Sequence, residues 1–81
     1  MRARPLLKFD QKYYALQQSI RKKMDKQLRF LLTDLHHPSL HAKKYGESEG
    51  IWQARIDKKY RFYFRIEDDT YVLINIKRHS D

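Results

Sequence analysis

The spacing of apolar residues changes period once along this chain, and that change restricts the fold more than any other feature. From Phe9 the apolar residues recur at Tyr13, Leu16, Ile20, Met24, Leu28, Leu31, Leu32 and Leu35. The steps are mostly three and four, which marks one face of an α-helix. After Ile51 the period is two. Tyr60, Phe62, Phe64 and Ile66 alternate with Arg61, Tyr63 and Arg65, the pattern of a strand with one buried face. Helices first and strands after argue an α+β domain, with helices packed on one face of an antiparallel sheet.

Read as one helix, the first stretch would run for about 39 Å at 1.5 Å per residue. That exceeds the width of a domain this small, so the helix must break. Gln17-Gln18-Ser19 is the expected break, with Ser19 as the second helix's N-cap. The expected elements are helices near 10–17 and 20–35, with Asp10 as the first N-cap and Pro38 ending the second helix. Pro5–Phe9 reads as a short edge strand before them. Ile51–Ile56, Tyr60–Ile66 and Tyr71–Lys77 read as a three-stranded meander joined by hairpin-length turns. The order is β-α-α-β-β-β. Trp52, Ala54, Ile56, Phe62, Phe64, Val72 and Ile74 are expected in the core, with Ile76 on the same inner face.

Eighty-one residues make a single domain, 1–81, with no room for a nucleotide-binding α/β sheet or a barrel. Cysteine is absent, which excludes disulfides, thiolate metal sites and cysteine catalysis. Eighteen Lys and Arg against ten Asp and Glu give a net charge of +8. The whole excess falls in residues 1–44, since residues 45–81 hold seven of each sign. Such a field favours polyanions. Arg21, Lys22, Lys23, Lys26 and Arg29 stud the second helix, as a solvated face or as one turned to RNA or a partner. No apolar run is long enough for a signal peptide or a spanning helix, so a cytoplasmic protein with no membrane partner is expected.

The sheet face opposite the helices is expected to hold Gln53, Arg55, Arg61, Tyr63, Arg65, Tyr71, Asn75 and Lys77, with Arg78 and His79 just beyond. Cations interleaved with tyrosines suit a phosphate backbone and unstacked bases. The plainer reading is a face stabilised by cross-strand Tyr–Arg packing. Cleavage of RNA without a metal or other cofactor needs a proton acceptor, cations for the dianionic phosphorane and a proton donor. His79 suits the acid–base part, and Arg61 and Arg78 suit the phosphorane. Lys59 could serve as base if neighbouring cations depress its pKa. His36, His37 and His41 match no metal spacing and read as loop residues.

The stretches His37-Pro-Ser-Leu-His-Ala-Lys-Lys-Tyr45, Ile51-Trp-Gln-Ala-Arg-Ile56, Tyr60-Arg-Phe-Tyr-Phe64, Ile66-Glu-Asp-Asp-Thr-Tyr-Val-Leu73 and Ile76-Lys-Arg-His79 resemble the C-terminal half of the RelE/ParE superfamily of type II toxin–antitoxin toxins. The resemblance implies a RelE-like fold, a cognate antitoxin that blocks the toxin, and ribosome-dependent cleavage of mRNA. It implies catalytic roles for three residues. Arg61 matches the strand arginine on the scissile phosphate, Arg78 the C-terminal strand arginine, and His79 the terminal acid of YafQ-like and YoeB-like members. Arg55 falls where RelE has a sheet lysine. Arg55, Lys59, Tyr63, Arg65 and Lys77 become the RNA-binding set. Glu47 or Glu49 falls near the glutamate base of YoeB-like enzymes. Gln53 replaces a basic residue of RelE, and no tyrosine follows Tyr71, where RelE has a functional one. An inactive RelE-like binding protein is therefore one alternative. The other is a ParE-type poison of DNA gyrase, since that branch shares the fold.

Overall fold

The computed structural model describes residues 1–46 and 50–79. Strand β1 (Arg2–Pro5) leads into helices α1 (Leu7–Ala15) and α2 (Gln18–Thr33). A 3₁₀ turn (Pro38–Leu40) follows, then β2 (Lys43–Lys44), β3 (Ile51–Arg55), β4 (Tyr60–Glu67) and β5 (Thr70–Arg78). The strands form one sheet in the order β1-β5-β4-β3-β2, with β1 parallel to β5 and every other pair antiparallel. This is the expected α+β order with one added strand, because Lys43 and Lys44 pair with Gln53 and Trp52. Neither helix is long and apolar enough to cross a membrane.

Three boundaries differ from the sequence expectation, the simplest being that α2 stops at Thr33 and Pro38 opens the 3₁₀ turn instead of ending the helix. The first strand is Arg2–Pro5, not Pro5–Phe9. The Arg2 and Leu6 amides donate to the carbonyls of Asp69 and Leu73. Alternation then turns the Pro5 nitrogen to the outer edge of the sheet, where a missing N–H costs nothing. Phe9 instead enters α1 and is buried beneath it. The helical break falls at Leu16 and Gln17, both extended. Neither helix has a side-chain N-cap bond, so Asp10 and Ser19 do not play that part. Arg21 closes the junction by donating from Nη1 to the Leu16 carbonyl at 2.6 Å.

Met24 and Leu31 from α2 and Leu40 from the 3₁₀ turn pack against Ala54, Ile56, Phe62, Phe64, Tyr71, Leu73 and Ile76 of the β3–β5 region. Trp52 is half-buried at the margin and stacks on Phe64. Strand β5 departs from strict alternation. Tyr63 pairs with Asn75 but Phe64 pairs with Leu73, so Ile74 is a bulged extra residue. The bulge moves everything before it to the other face. Leu73 and Tyr71 therefore join the helix-side core, with Tyr71 edge-on to Phe64. Val72 is buried on the far side opposite Arg65, and Ile74 is only half-buried. Asn75 supports the bulge, accepting the Ile76 amide on Oδ1 at 2.9 Å.

Leu31 is fully buried, whereas Leu7 is 74% exposed. Leu31→Ala should cost about 2–5 kcal/mol, as buried Leu→Ala changes do, and Leu7→Ala close to nothing. Urea melts of the two variants check this. Equal losses would mean the core is misplaced.

Tyr13 ties α1 to α2, its hydroxyl donating to Asp25 Oδ1 at 2.7 Å. That hydrogen bond, with burial and the Asp25 charge, pushes the phenol from 10.0 up to about 12. The folded state thus holds this proton more tightly than the unfolded chain. The contribution is intact below pH 10 and is lost as pH climbs towards about 12. Tyr13→Phe should show a shallower loss of urea midpoint across that window than the parent protein. An unchanged slope would remove Tyr13 from the account.

Candidate functional site

The site grows from the turn between β3 and β4. Asp57 Oδ1 accepts the amides of Lys59 and Tyr60 at 2.8 and 2.9 Å, a local Asx arrangement that fixes the turn. This aims the turn's carbonyls inward, and Arg61 fills the space. Its Nη1 donates to the carbonyls of Asp57, Lys58 and Tyr60 at 2.6, 3.3 and 3.1 Å. Arg61 is only 6% exposed. No buried side-chain nitrogen or oxygen lacks a partner among the described residues, so its remaining nitrogens reach the surface. The His79 amide donates to the Lys59 carbonyl at 2.6 Å, which carries the chain past β5 and back to the turn.

Arg55 stands directly opposite Arg61, and Lys77 opposite Arg61 on the other side. Phe62 faces the helices, so Arg61 must face away from them. The result is a concavity of about 370 Å³ lined by Arg55, Arg61, His79, His41, Lys43 and Gln53. Beside it Tyr63 lies between Gln53 and Asn75, under the Lys77 ammonium at 5.4 Å, with Tyr45 edge-on at 5.0 Å. Burial raises the Tyr63 phenol, Tyr45 adds to this, and Arg61 partly offsets it. The ring is therefore a neutral hydrogen-bonding group at physiological pH.

Of the residues singled out from sequence, the cup gathers Arg55, Arg61 and His79. Tyr63 and Lys77 adjoin it. Arg78 does not join them. It pairs with Tyr60 on the helix side, by a concavity of about 480 Å³ shared with Lys59, Leu16, Gln17 and Ile20. One step of alternation after Lys77 sends it there. Lys59 lies with Arg78, and only its carbonyl serves the cup, through His79. Arg65 is exposed further along β4, opposite Ile51. Tyr71 is in the core, as described. Glu47 and Glu49 lie outside the described residues.

Sequence reasoning missed three contributors. His41 adopts a left-handed φ of 46° after the 3₁₀ turn, and with Lys43 it enters the cup from the β2 edge. Gln27 is nine-tenths hidden and more, at 4% exposure. Its Nε2 donates to the carbonyls of Ser39 and Arg55 at 3.0 and 2.9 Å, and its Oε1 accepts from Ser39 Oγ at 3.1 Å. It clamps α2 to the 3₁₀ turn and to the end of β3, and so sets where Arg55 and His41 stand. Nothing in the apolar spacing marks it. Among the described residues no three of His, Cys, Asp and Glu gather as a metal site would require.

The arrangement offers guanidinium and ammonium groups for a bound phosphate and two imidazoles at its walls. The family model for the ParE toxin of the type II toxin–antitoxin system, parDE, matches residues 6–81. The chain belongs to this toxin family. No curated protein matches it in sequence. It superposes on a YoeB/ParE toxin from Agrobacterium tumefaciens with a TM-score of 0.81 at 17% identity, covering 99% of this chain and 100% of that one. For the YoeB dimer from Staphylococcus aureus the values are 0.82, 16%, 99% and 98%. For the intact E. coli RelBE toxin–antitoxin complex they are 0.78, 12%, 99% and 98%. The toxin thus has the RelE/ParE fold expected from its sequence, and at these identities the likeness is one of fold.

Gln27 carries a testable load. Gln27→Leu leaves the Ser39 and Arg55 carbonyls without their donor, at about 1–3 kcal/mol for each buried group so stranded. The urea midpoint should fall accordingly. A variant as stable as the parent would show that the clamp is dispensable.

Proposed function

We propose that this type II toxin cleaves mRNA on the ribosome and that its cup is the cleavage site, acting in the cytoplasm under the control of a cognate antitoxin. The observation that supports this most is the convergence of Arg55, Arg61 and His79 on one concavity. Cleavage there proceeds by attack of a 2′-hydroxyl on its own 3′-phosphate. A new P–O bond forms as the P–O bond to the leaving 5′-oxygen breaks, giving a 2′,3′-cyclic phosphate and a free 5′-hydroxyl. His41 accepts the 2′ proton, and His79 donates one to the 5′-oxygen. Arg55, Lys43 and the free edge of Arg61 stabilise the dianionic phosphorane. Such charges act best when held in place before reaction, as the turn carbonyls hold Arg61. Tyr63, Lys77 and Arg65 contact flanking nucleotides. Arg78 and Lys59 stand away from the phosphate and take no part in this scheme.

The test is induction of the gene with mapping of mRNA 5′-hydroxyl ends. New ends within translated codons are expected. His79→Ala should reduce them by about 10²–10⁴-fold, the usual worth of a proton-transfer group. Arg55→Ala should also reduce them strongly, and Arg78→Ala far less. The family match favours a second reading, poisoning of DNA gyrase, since the matching model is that of ParE. Intact messages with DNA breaks that depend on gyrase would establish that reading instead.

A further inference from the structure

A second concavity of about 330 Å³ adjoins the cup, and the two share His41 and Arg55 as a common wall. Lys23 and Lys26 from α2 and Lys58 from the β3–β4 turn line its other side. The one carboxylate in it is Asp57. That charge is already spent. Its Oδ1 takes two backbone amides, and its Oδ2 pairs with Lys23 at 3.5 Å. Lys26 and Lys58 form no ion pair among the described residues, and both are exposed. Cup and groove together present six Lys and Arg side chains against that single acid. Cations crowded this way repel one another until an anion binds.

The groove also lacks what a protein segment would anchor on. Its one large apolar side chain, Ile56, is 4% exposed and belongs to the core. The strongly exposed apolar side chains Leu7 and Tyr14 lie on α1, outside the groove. Protein interfaces concentrate their energy in buried aromatic and apolar anchors, whereas a nucleic-acid backbone needs only a charged track.

We infer that the groove over Lys23, Lys26 and Lys58 is a second phosphate tract, holding the RNA backbone on one side of the phosphate seated in the cup. The inference rests on the cup being an RNA site. It makes the basic face of α2 a substrate-binding surface rather than a solubilising one, and it makes affinity depend on RNA length. A strand that fills only the cup forgoes the groove's contacts.

The experiment measures binding of two labelled single-stranded RNAs, of about three and about twelve nucleotides, with 2′-O-methyl sugars to prevent cleavage. Purified full-length protein is titrated between roughly 50 and 200 mM salt. The Lys26→Ala/Lys58→Ala double variant is compared with the parent, with a urea melt to confirm that it folds. Two lost phosphate contacts should flatten the log–log salt slope for the long RNA by about 1.4, at about 0.7 per contact on a single strand. The short RNA should change by less than half as much. An unchanged long-RNA slope overturns the inference, as does an equal change for both lengths. Polyglutamate displacing long RNA from the parent but not from the double variant, with equal RNA slopes, would give the groove to an acidic protein segment. Failure of the cleavage reading looks different: messages stay whole after induction while the length-dependent binding survives.

Discussion

Strand β4 cannot lay Phe62 and Phe64 against the helices without turning Arg61 and Tyr63 to the other side of the sheet. Burial of two aromatic rings is worth several kcal/mol in a domain whose net stability is of the same order. The side of the sheet on which Arg61 lies is therefore settled by the core, and its contacts with the turn carbonyls fix where on that side the guanidinium sits. Its neighbours follow by pairing. Arg55 is brought opposite it by β3, and Lys77 by β5.

That leaves cations in adjacent cross-strand positions, which is unfavourable unless relieved. The relief at Arg61 comes from backbone. Asp57 shapes the turn so that its carbonyls point at the guanidinium, and the guanidinium in turn fixes the turn against which His79 docks. Arg55 is held from the opposite side, where Gln27 grips its carbonyl. The Arg61 guanidinium and the Arg55 backbone are thus held by contacts to uncharged groups. Neither arginine's charge is cancelled by an ion pair among the described residues.

The likeness to YoeB and RelE structures at 12–17% identity shows how little sequence this fold requires. The target of a toxin lies in its surface groups, and a shared fold does not choose among targets. The cup and its extension over α2 are properties of this chain's own side chains.

Much was legible in the chain because period is a local property. The helical spacing before Leu35 and the alternation after Ile51 dictated an α+β order, and the charge pattern announced a basic face. Alternation also placed Arg55, Arg61, Tyr63 and Lys77 on one side correctly. It failed at Ile74, because a bulge inserts one residue and reverses the phase, which carried Tyr71 into the core. Arg78 is expected just beyond the last strand, but β5 runs through it, and one step along a strand from Lys77 is a change of face. His41, Lys43 and Gln27 reached the site across gaps in the chain that no spacing rule spans. The amino-acid order alone decided the helical stretch before Leu35 and the strands after Ile51, since each periodicity needs only neighbours to express it, whereas the first strand and β2 are set by the strands they pair with. Which side chains meet at the cup was decided by tertiary structure, because strand pairing, a bulge and one buried amide bring together residues that local physics leaves independent.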